Sequence, residues 1–286
     1  MPKMVITNKS DIQQRADVLL ANAYPEYSRA ALAKLFDQAV ITQDNKPIKA
    51  GEKLKPGEKF KADISNLQKQ AIDITLPILY EDKNVIVIDK PASIISHATG
   101  KYWEEPSVAS FVRKKVSGLE GERAGIVHRL DKATSGVMIC AKNPETMSFL
   151  QKQFSSRKTK KVYYAVIEGK LESNEAIIDV PIGRNPKKPQ IFRPDANGKI
   201  ATTTYKVIIT NNSYSLLELR PTTGRTHQIR VHLKHINRPI VGDDLYGGYK
   251  ADRLYLHAFS LEITIPGGTR KVFISPLPPE FAKLIP

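Results

Sequence analysis

The sequence predicts an α+β protein in which a small α+β module precedes a larger domain built on a mixed, largely antiparallel sheet. Three observations carry that expectation. Strand-like runs outnumber helix-like ones and arrive in hairpin-like succession. A polar, weakly periodic stretch at residues 61–75 separates two patterned regions. The chain has 286 residues, 41% of them hydrophobic, enough for one large or two modest domains. The single cysteine, Cys140, excludes an internal disulfide framework, and a start without an apolar signal core adds to a cytoplasmic expectation. Charges interrupt even the richest apolar stretch, residues 85–95 around Asp89 and Lys90, so no membrane span is expected.

Taken in order, Ile12, Ala16, Leu19, Leu20 and Ala23 fall at helical spacing, as do Leu32, Leu35, Phe36 and Ala39 behind Ser28, a fitting N-cap. Two short helices follow from these patterns. Val40-Ile41-Thr42 and the turn residues Gln43-Asp44-Asn45-Lys46 then open a set of small strands punctuated through Gly57 and Phe60. The polar stretch sets the domains at 10–65 and 78–286, with a linker at 66–77. In the second domain Ile78-Leu79-Tyr80 and residues 85–91 read as strands around a turn at 81–84. Further strands are expected at 136–141, 162–168, 202–209, 214–219 and 261–265, with helices near 107–116 and 144–154. There is no internal repeat.

Charge narrows the partner. The chain carries 44 Lys and Arg against 29 Asp and Glu, a net charge of +15, which suits a polyanion and above all a nucleic acid. Arg113-Lys114-Lys115, Arg157-Lys158 with Lys160-Lys161, and Lys187-Lys188 are spread along the chain, so the positive field belongs to the folded body rather than to a tail. Other chemistries lack their residues. There is no glycine pattern for a dinucleotide or a P-loop, and no zincin His-Glu-x-x-His. His227, His232 and His235 share no helical face at ligand spacing, and one cysteine cannot build a thiolate site, so no metal is expected.

One segment stands apart: Gly125-Ile126-Val127-His128-Arg129-Leu130-Asp131-Lys132-Ala133-Thr134-Ser135-Gly136. A carboxylate among cationic residues, followed by Thr-Ser-Gly and an apolar run, lies on a polar connection leading into the core. On composition alone Asp131 reads as the cap of a surface turn, paired with Arg129. The run His-Arg-Leu-Asp-x-x-Thr-Ser-Gly, however, resembles the signature of the RluA-type pseudouridine synthases at every fixed position. Ile78-Leu79-Tyr80-Glu81-Asp82 with Val87-Ile88-Asp89-Lys90-Pro91 resembles that family's opening strands, and Lys161-Val162-Tyr163-Tyr164-Ala165 its Lys-x-Tyr-x-Ala segment. Thr223-Gly224-Arg225-Thr226-His227-Gln228-Ile229-Arg230-Val231-His232 resembles its third motif, and Pro239-Ile240-Val241-Gly242-Asp243 and Leu256-His257-Ala258 complete the set. The resemblance spans residues 78–286.

The stretch before it resembles a small RNA-binding module of the S-four type, first named from a ribosomal protein. That likeness rests on Arg15 with Asp17, Ser28-Arg29, Val40, Asn45-Lys46 and Lys55-Pro56-Gly57-Glu58. Where the module carries a glycine before its strand, this chain has Gln38-Ala39. Lys34 lies about 200° around the helix axis from Leu32, off the apolar face. A solvated charge explains it; the resemblance implies a phosphate contact there, together with Arg29.

The chemistry implied by the resemblance breaks the ribose bond to base nitrogen 1 and re-forms it at carbon 5. Nothing is oxidised or reduced, so no cofactor is expected. The reaction needs an ionised carboxylate against the nucleoside, a hold on the detached ring and exclusion of water. The resemblance assigns the carboxylate to Asp131, and leaves open whether it adds covalently or removes a ribose proton. It assigns the offsetting cation to Arg230, the aromatic stacked on the base to Tyr163, and the apolar residue beside the base to Leu256. Around Arg230 the pattern is two-valued: Ile229, Val231 and Leu233 alternate like a strand, while Ile229, Leu233 and Ile236 share one helical face. The family implies the helix. Arg129 would fill the space of a flipped base or hold its flanking phosphate, and Arg225 joins the RNA contacts.

The expected partner is RNA, most readily that of the large ribosomal subunit, with no obligate protein partner and a monomeric chain. Two rivals come from other classes. A non-catalytic RNA-binding factor of ribosome assembly would grip RNA with both domains and use Asp131 structurally. A hydrolase with paired carboxylates would need a second acid, for which Glu120 and Glu122 are the nearest candidates in sequence.

Overall fold

The computed structural model describes residues 4–68, 74–97, 105–119, 123 and 125–286. Glu120 and Glu122, and residues 69–73 of the expected linker, lie outside the described residues. The described chain forms two compact units, one within residues 4–68 and 105–106 and the other within 74–97 and 107–286.

The small unit consists of β1 (Met4–Thr7), β2 (Gln14–Arg15), α1 (Ala16–Ala23), α2 (Arg29–Asp37), β3 (Ile41–Gln43), β4 (Lys46–Pro47), β5 (Lys53–Leu54), β6 (Lys59–Ala62) and α3 (Ser65–Gln68). Four strands form an antiparallel sheet in the order β1-β6-β3-β4, while β2 pairs with β5. The first helix starts at Ala16 and not near Ile12, because Gln14 and Arg15 pair with Leu54 and Lys53 as extended chain. The second begins where its cap predicts: the Ala31 amide donates to the Ser28 hydroxyl at 3.2 Å. It ends on Ala39 at φ 58°, a left-handed conformation that glycine adopts without strain. Leu20, Leu32, Leu35, Ile41, Leu54 and Phe60 are buried together between helices and sheet. The expected domain limits shift, because β1 enters the sheet before residue 10 and Leu67 packs into this core beyond residue 65.

The large unit runs through β7 (Ile78–Glu81), β8 (Val85–Lys90), α4 (Val108–Arg113), β9 (Ser135–Ala141), α5 (Pro144–Ser155), β10 (Lys160–Glu168), β11 (Glu175–Asp179), β12 (Ile182–Arg184), β13 (Phe192–Pro194), β14 (Thr202–Thr210), β15 (Tyr214–Pro221), α6 (Gln228–His235), β16 (Leu256–Thr264), β17 (Arg270–Ile274) and α7 (Phe281–Leu284). Its sheet has nine strands in the order β11-β14-β15-β10-β16-β9-β8-β7, with β17 also on β16. All pairings are antiparallel except β9 with β16, so the sheet is mixed and largely antiparallel, as the pattern predicts. Four strands of this unit, β11, β12, β13 and β17, fall outside the expected ranges. β11 and β17 bury fully only one residue each, Ile178 and Phe273, which leaves little apolar alternation to read.

Beside a small core around Ile182, Ala201, Val231 and Tyr246, two large apolar cores form in this unit. One gathers β8, β9, α4 and α5, and the other β10, β15 and α6. They meet at the parallel β9–β16 seam, and Tyr163 on β10 packs against both. At that seam Gly136 has φ 119°, and a Cβ there would collide with the backbone of Ala258. The glycine of the Thr-Ser-Gly run is thus required by a close backbone approach.

Candidate active site

The chain from His128 to Thr134 crosses the sheet end as a tightly fixed turn. The Ser96 hydroxyl donates to the Leu130 carbonyl at 2.7 Å and accepts from the Leu130 amide at 3.0 Å. The Ser93 amide donates to the Lys132 carbonyl at 2.9 Å, and the Thr134 amide to the Asp131 carbonyl at 3.1 Å. Lys90 is fully buried and its Nζ donates to the carbonyls of Pro91, Ile94 and Lys132 at 2.8, 2.8 and 3.3 Å. Burial lowers its pKa to about 7, while the nearby Asp131 charge works the other way. His128 is an anchor: its Nε2 accepts from the Ile139 amide at 3.1 Å and its ring stacks on Phe154 at 4.4 Å. Burial pushes that ring down to about 3, so it stays neutral. The turn leaves the Asp131 side chain 18% exposed at its apex.

The third motif becomes helical from Gln228, which settles the two-valued pattern around Arg230. Gln228 fixes its start: the side-chain oxygen accepts from the Thr223 hydroxyl at 2.6 Å and the Arg225 amide at 3.0 Å, and the amide nitrogen donates to the Thr202 carbonyl and the Thr203 hydroxyl, both at 3.0 Å. Within the first turn of α6, Arg230 is buried. Its main partner differs from the expected one. Nε and Nη2 donate to the two oxygens of Asp243 at 2.8 and 2.7 Å, while Nη1 stands 3.5 Å from Asp131 Oδ2. Burial opposes the guanidinium charge, but the Asp243 fork and the Asp131 charge more than offset it and raise its pKa.

Tyr163 and Leu256 supply the apolar side. They lie on adjacent paired strands, β10 and β16, whose register shifts between Val162 and Tyr163. Burial, then the Asp131 charge, raise the Tyr163 phenol pKa, so the ring is neutral. Asp131, Tyr163, Arg230 and Leu256 line one cavity of about 110 Å³, together with Arg129 and Arg225. A larger cavity of about 340 Å³ shares Arg129, Lys161, Tyr163 and Arg225 with it and is lined also by Arg157. Lys161 Nζ donates to the Thr223 carbonyl at 3.0 Å, and burial lowers its pKa to about 8.

Six of the residues named from sequence therefore share one site. Arg29 and Lys34 belong to the small unit: Arg29 pairs at 3.0 Å with Asp17, which Arg15 also holds at 2.9 Å, and Lys34 sits half-buried on α2. Sequence reasoning missed Lys90, His227, Asp243 and Tyr246 as parts of the site. Lys90 and Asp243 lie in segments that carry the family resemblance, so a charged side chain within an apolar run was the available signal. Tyr246 had none.

A carboxylate beside a buried arginine, lining one cavity with an aromatic ring, an apolar residue and two further arginines, suits an enzyme that acts on a base of a polyanion. The comparisons with known proteins name its family. Residues 84–235 match the RNA pseudouridylate synthase family, and the chain belongs to it. It is 43% identical over 220 residues to "Ribosomal large subunit pseudouridine synthase D" of Borreliella burgdorferi, covering 73% of this chain and 67% of that one. It is 36% identical over 287 residues to the protein of the same name from Nitrosomonas europaea, covering 95% and 83%. Among solved structures, "Human RNA Pseudouridylate Synthase Domain Containing 1" superposes with a TM-score of 0.60 at 26% identity, over 71% of this chain and 83% of that one. The protein is an RNA pseudouridine synthase, an isomerase, which sets aside the hydrolase and the non-catalytic assembly factor.

Proposed function

We propose that this synthase isomerises uridines of large-subunit ribosomal RNA and that Asp131 is its reacting carboxylate. The convergence of Asp131, Arg230, Tyr163 and Leu256 on one cavity carries the assignment. In the reaction the C1′–N1 bond breaks and a C1′–C5 bond forms, while the C5 hydrogen leaves as a proton and N1 regains one. Protein groups suffice for this exchange, so no metal or redox group has a part in it. Arg230 holds the Asp131 carboxylate through Nη1 and is itself held by Asp243. The neutral Tyr163 ring stacks on the uracil, a contact worth ~1–3 kcal/mol per base. Leu256 closes the apolar side and limits water.

Arg129, two residues from Asp131 and exposed at the rim of both cavities, occupies the place of the extruded base or holds its phosphate. Arg225 binds the RNA backbone beside it. The small unit adds RNA affinity through Arg29, Lys34 and their neighbours. The chain acts as a monomer in the cytoplasm, with RNA as its partner. The substrate class rests on the printed names of the relatives from Borreliella burgdorferi and Nitrosomonas europaea.

Asp131→Asn tests the assignment, because it keeps shape and removes the reacting charge. Pseudouridine formed on large-subunit RNA by the purified variant should fall to background while RNA binding persists. Isomerisation near the wild-type rate would remove Asp131 from the mechanism. Pseudouridines mapped in cellular RNA with and without the protein test the substrate; unchanged large-subunit RNA would reject it.

A further inference from the structure

The Asp131 oxygen that faces Arg230 also faces a ring nitrogen of His227. His227 Nε2 stands 3.9 Å from Oδ2, and its Nδ1 lies 2.8 Å from the Tyr246 hydroxyl. That hydroxyl also receives the Phe192 amide at 3.0 Å. A peptide N–H can only donate, so the Tyr246 oxygen accepts from Phe192 and its own hydrogen needs an acceptor elsewhere. Among the described residues the acceptor within reach is His227 Nδ1. When Nδ1 accepts the Tyr246 hydrogen it carries none of its own, and the proton of neutral His227 is then on Nε2, the nitrogen turned toward Asp131.

We propose that His227 is a positioning residue for the Asp131 carboxylate, and that Tyr246 fixes the tautomer which presents an N–H, rather than a lone pair, to Oδ2. The sign of the interaction depends on this choice. With the proton on Nδ1, a nitrogen lone pair would face a carboxylate oxygen and repel it; with the proton on Nε2 the contact is attractive. Both donors, Arg230 and His227, then sit on Oδ2, and Oδ1 is the oxygen presented to the nucleoside.

Independent features of the fold support the assignment. Tyr246 joins both arms of the site: the Arg230 guanidinium lies over its ring at 5.0 Å, and its amide donates to Asp243 at 3.2 Å. The Phe192 ring meets His227 edge-on at 5.7 Å, so the imidazole is held by a ring on one side and a hydroxyl on the other. His227 itself has φ 56° and ψ 20° at the head of α6, a left-handed conformation that costs about 1 kcal/mol or more for a side chain of its size. Strain of this kind persists where the surroundings over-determine it, and a capping role does not explain it, because the His227 side chain makes no cap hydrogen bond. Burial lowers the His227 pKa; Asp131 and Asp243 oppose that shift, and Arg230 and Arg129 add to it. The ring therefore stays neutral near pH 7, where its tautomer matters.

The proposal rests on the reading of Asp131 as the reacting group, and the test separates the two. Full-length protein labelled with ¹⁵N and ¹³C at histidine reports the His227 tautomer directly, assigned by loss of the signal in His227→Gln. The expected spectrum shows Nε2 protonated and Nδ1 bare, and a shift toward the Nδ1-protonated form in Tyr246→Phe. On ribosomal RNA, Tyr246→Phe should lower kcat about tenfold with little change in KM, the loss expected for one misdirected charge-assisted hydrogen bond. In a His227→Gln background the same change should cost much less, because an amide N–H has no tautomer to lose. A proton on Nδ1 in the wild-type protein overturns the proposal even if Tyr246→Phe fails to fold. So does an equal kcat loss from Tyr246→Phe in both backgrounds, which would make Tyr246 merely structural. An active Asp131→Asn would instead sink the underlying reading, whatever the tautomer.

Discussion

Arg230 gives Nε and Nη2 to Asp243 at 2.8 and 2.7 Å and turns only Nη1 to Asp131, 3.5 Å away. The arginine is thus part of the fold before it is part of the chemistry. Asp243 is fully buried and holds the guanidinium plane, and Asp131 meets a cation whose position is already set.

Removing the arginine should therefore harm stability as well as turnover. Arg230→Ala leaves Asp243 as an unpaired buried charge, a loss of ~3–5 kcal/mol in stability. Arg230→Lys keeps a charge but not the fork, so it should recover little of either property. Urea denaturation beside pseudouridine formation checks both, and an Arg230→Ala protein of wild-type stability would contradict the pairing.

Lys90 makes a pH-dependent contribution whose sign follows from its burial. Its folded pKa is about 7, below the ~10.4 of an exposed lysine, so between those values the unfolded chain binds more protons. The cost of burying this ammonium is full below pH 7 and disappears as pH rises toward ~10.4. Wild-type stability should rise relative to that of Lys90→Gln across this window, by at most ~1.4 kcal/mol per pH unit. Parallel denaturation profiles from pH 7 to 9 would refute it. Lys90→Gln should also slow turnover, because the carbonyls of Pro91 and Ile94, and one of the two bonds to the Lys132 carbonyl beside Asp131, lose the ammonium that ties them together.

Two positive-φ positions should respond with opposite signs. Gly136→Ala drives a Cβ into the Ala258 backbone at the β9–β16 seam, which should prevent folding or destabilise by more than ~3 kcal/mol. Ala39→Gly relaxes a left-handed residue at the end of α2 and should stabilise by about 1 kcal/mol. Denaturation midpoints decide both.

The small unit should add affinity and no chemistry. A chain beginning near Leu76 should bind RNA more weakly and show a flatter dependence of log affinity on log salt, since fewer phosphate contacts release counterions. Turnover at saturating RNA should survive. Unchanged affinity and salt slope with lost turnover would show that residues 4–68 help to build the active site.

By itself the sequence determined the class of fold, the strands with strong apolar runs such as residues 85–90, and the cap at Ser28, because these depend on neighbours within a few residues. Through the resemblance of its motifs it also named Asp131, Tyr163, Arg230 and Leu256, which share one cavity. Partnership was decided only by tertiary structure. Asp243, Tyr246 and His227 lie 13, 16 and 3 residues from Arg230, on no common periodicity, and a loop returning to the head of α6 brings them together. The edge strands β11 and β17 were likewise invisible, since each buries little and owes its form to hydrogen bonds from a neighbouring strand. Local pattern encodes what a residue contributes; which carboxylate an arginine holds, and which tautomer a histidine adopts, depend on atoms that sequence separation does not bring near and folding does.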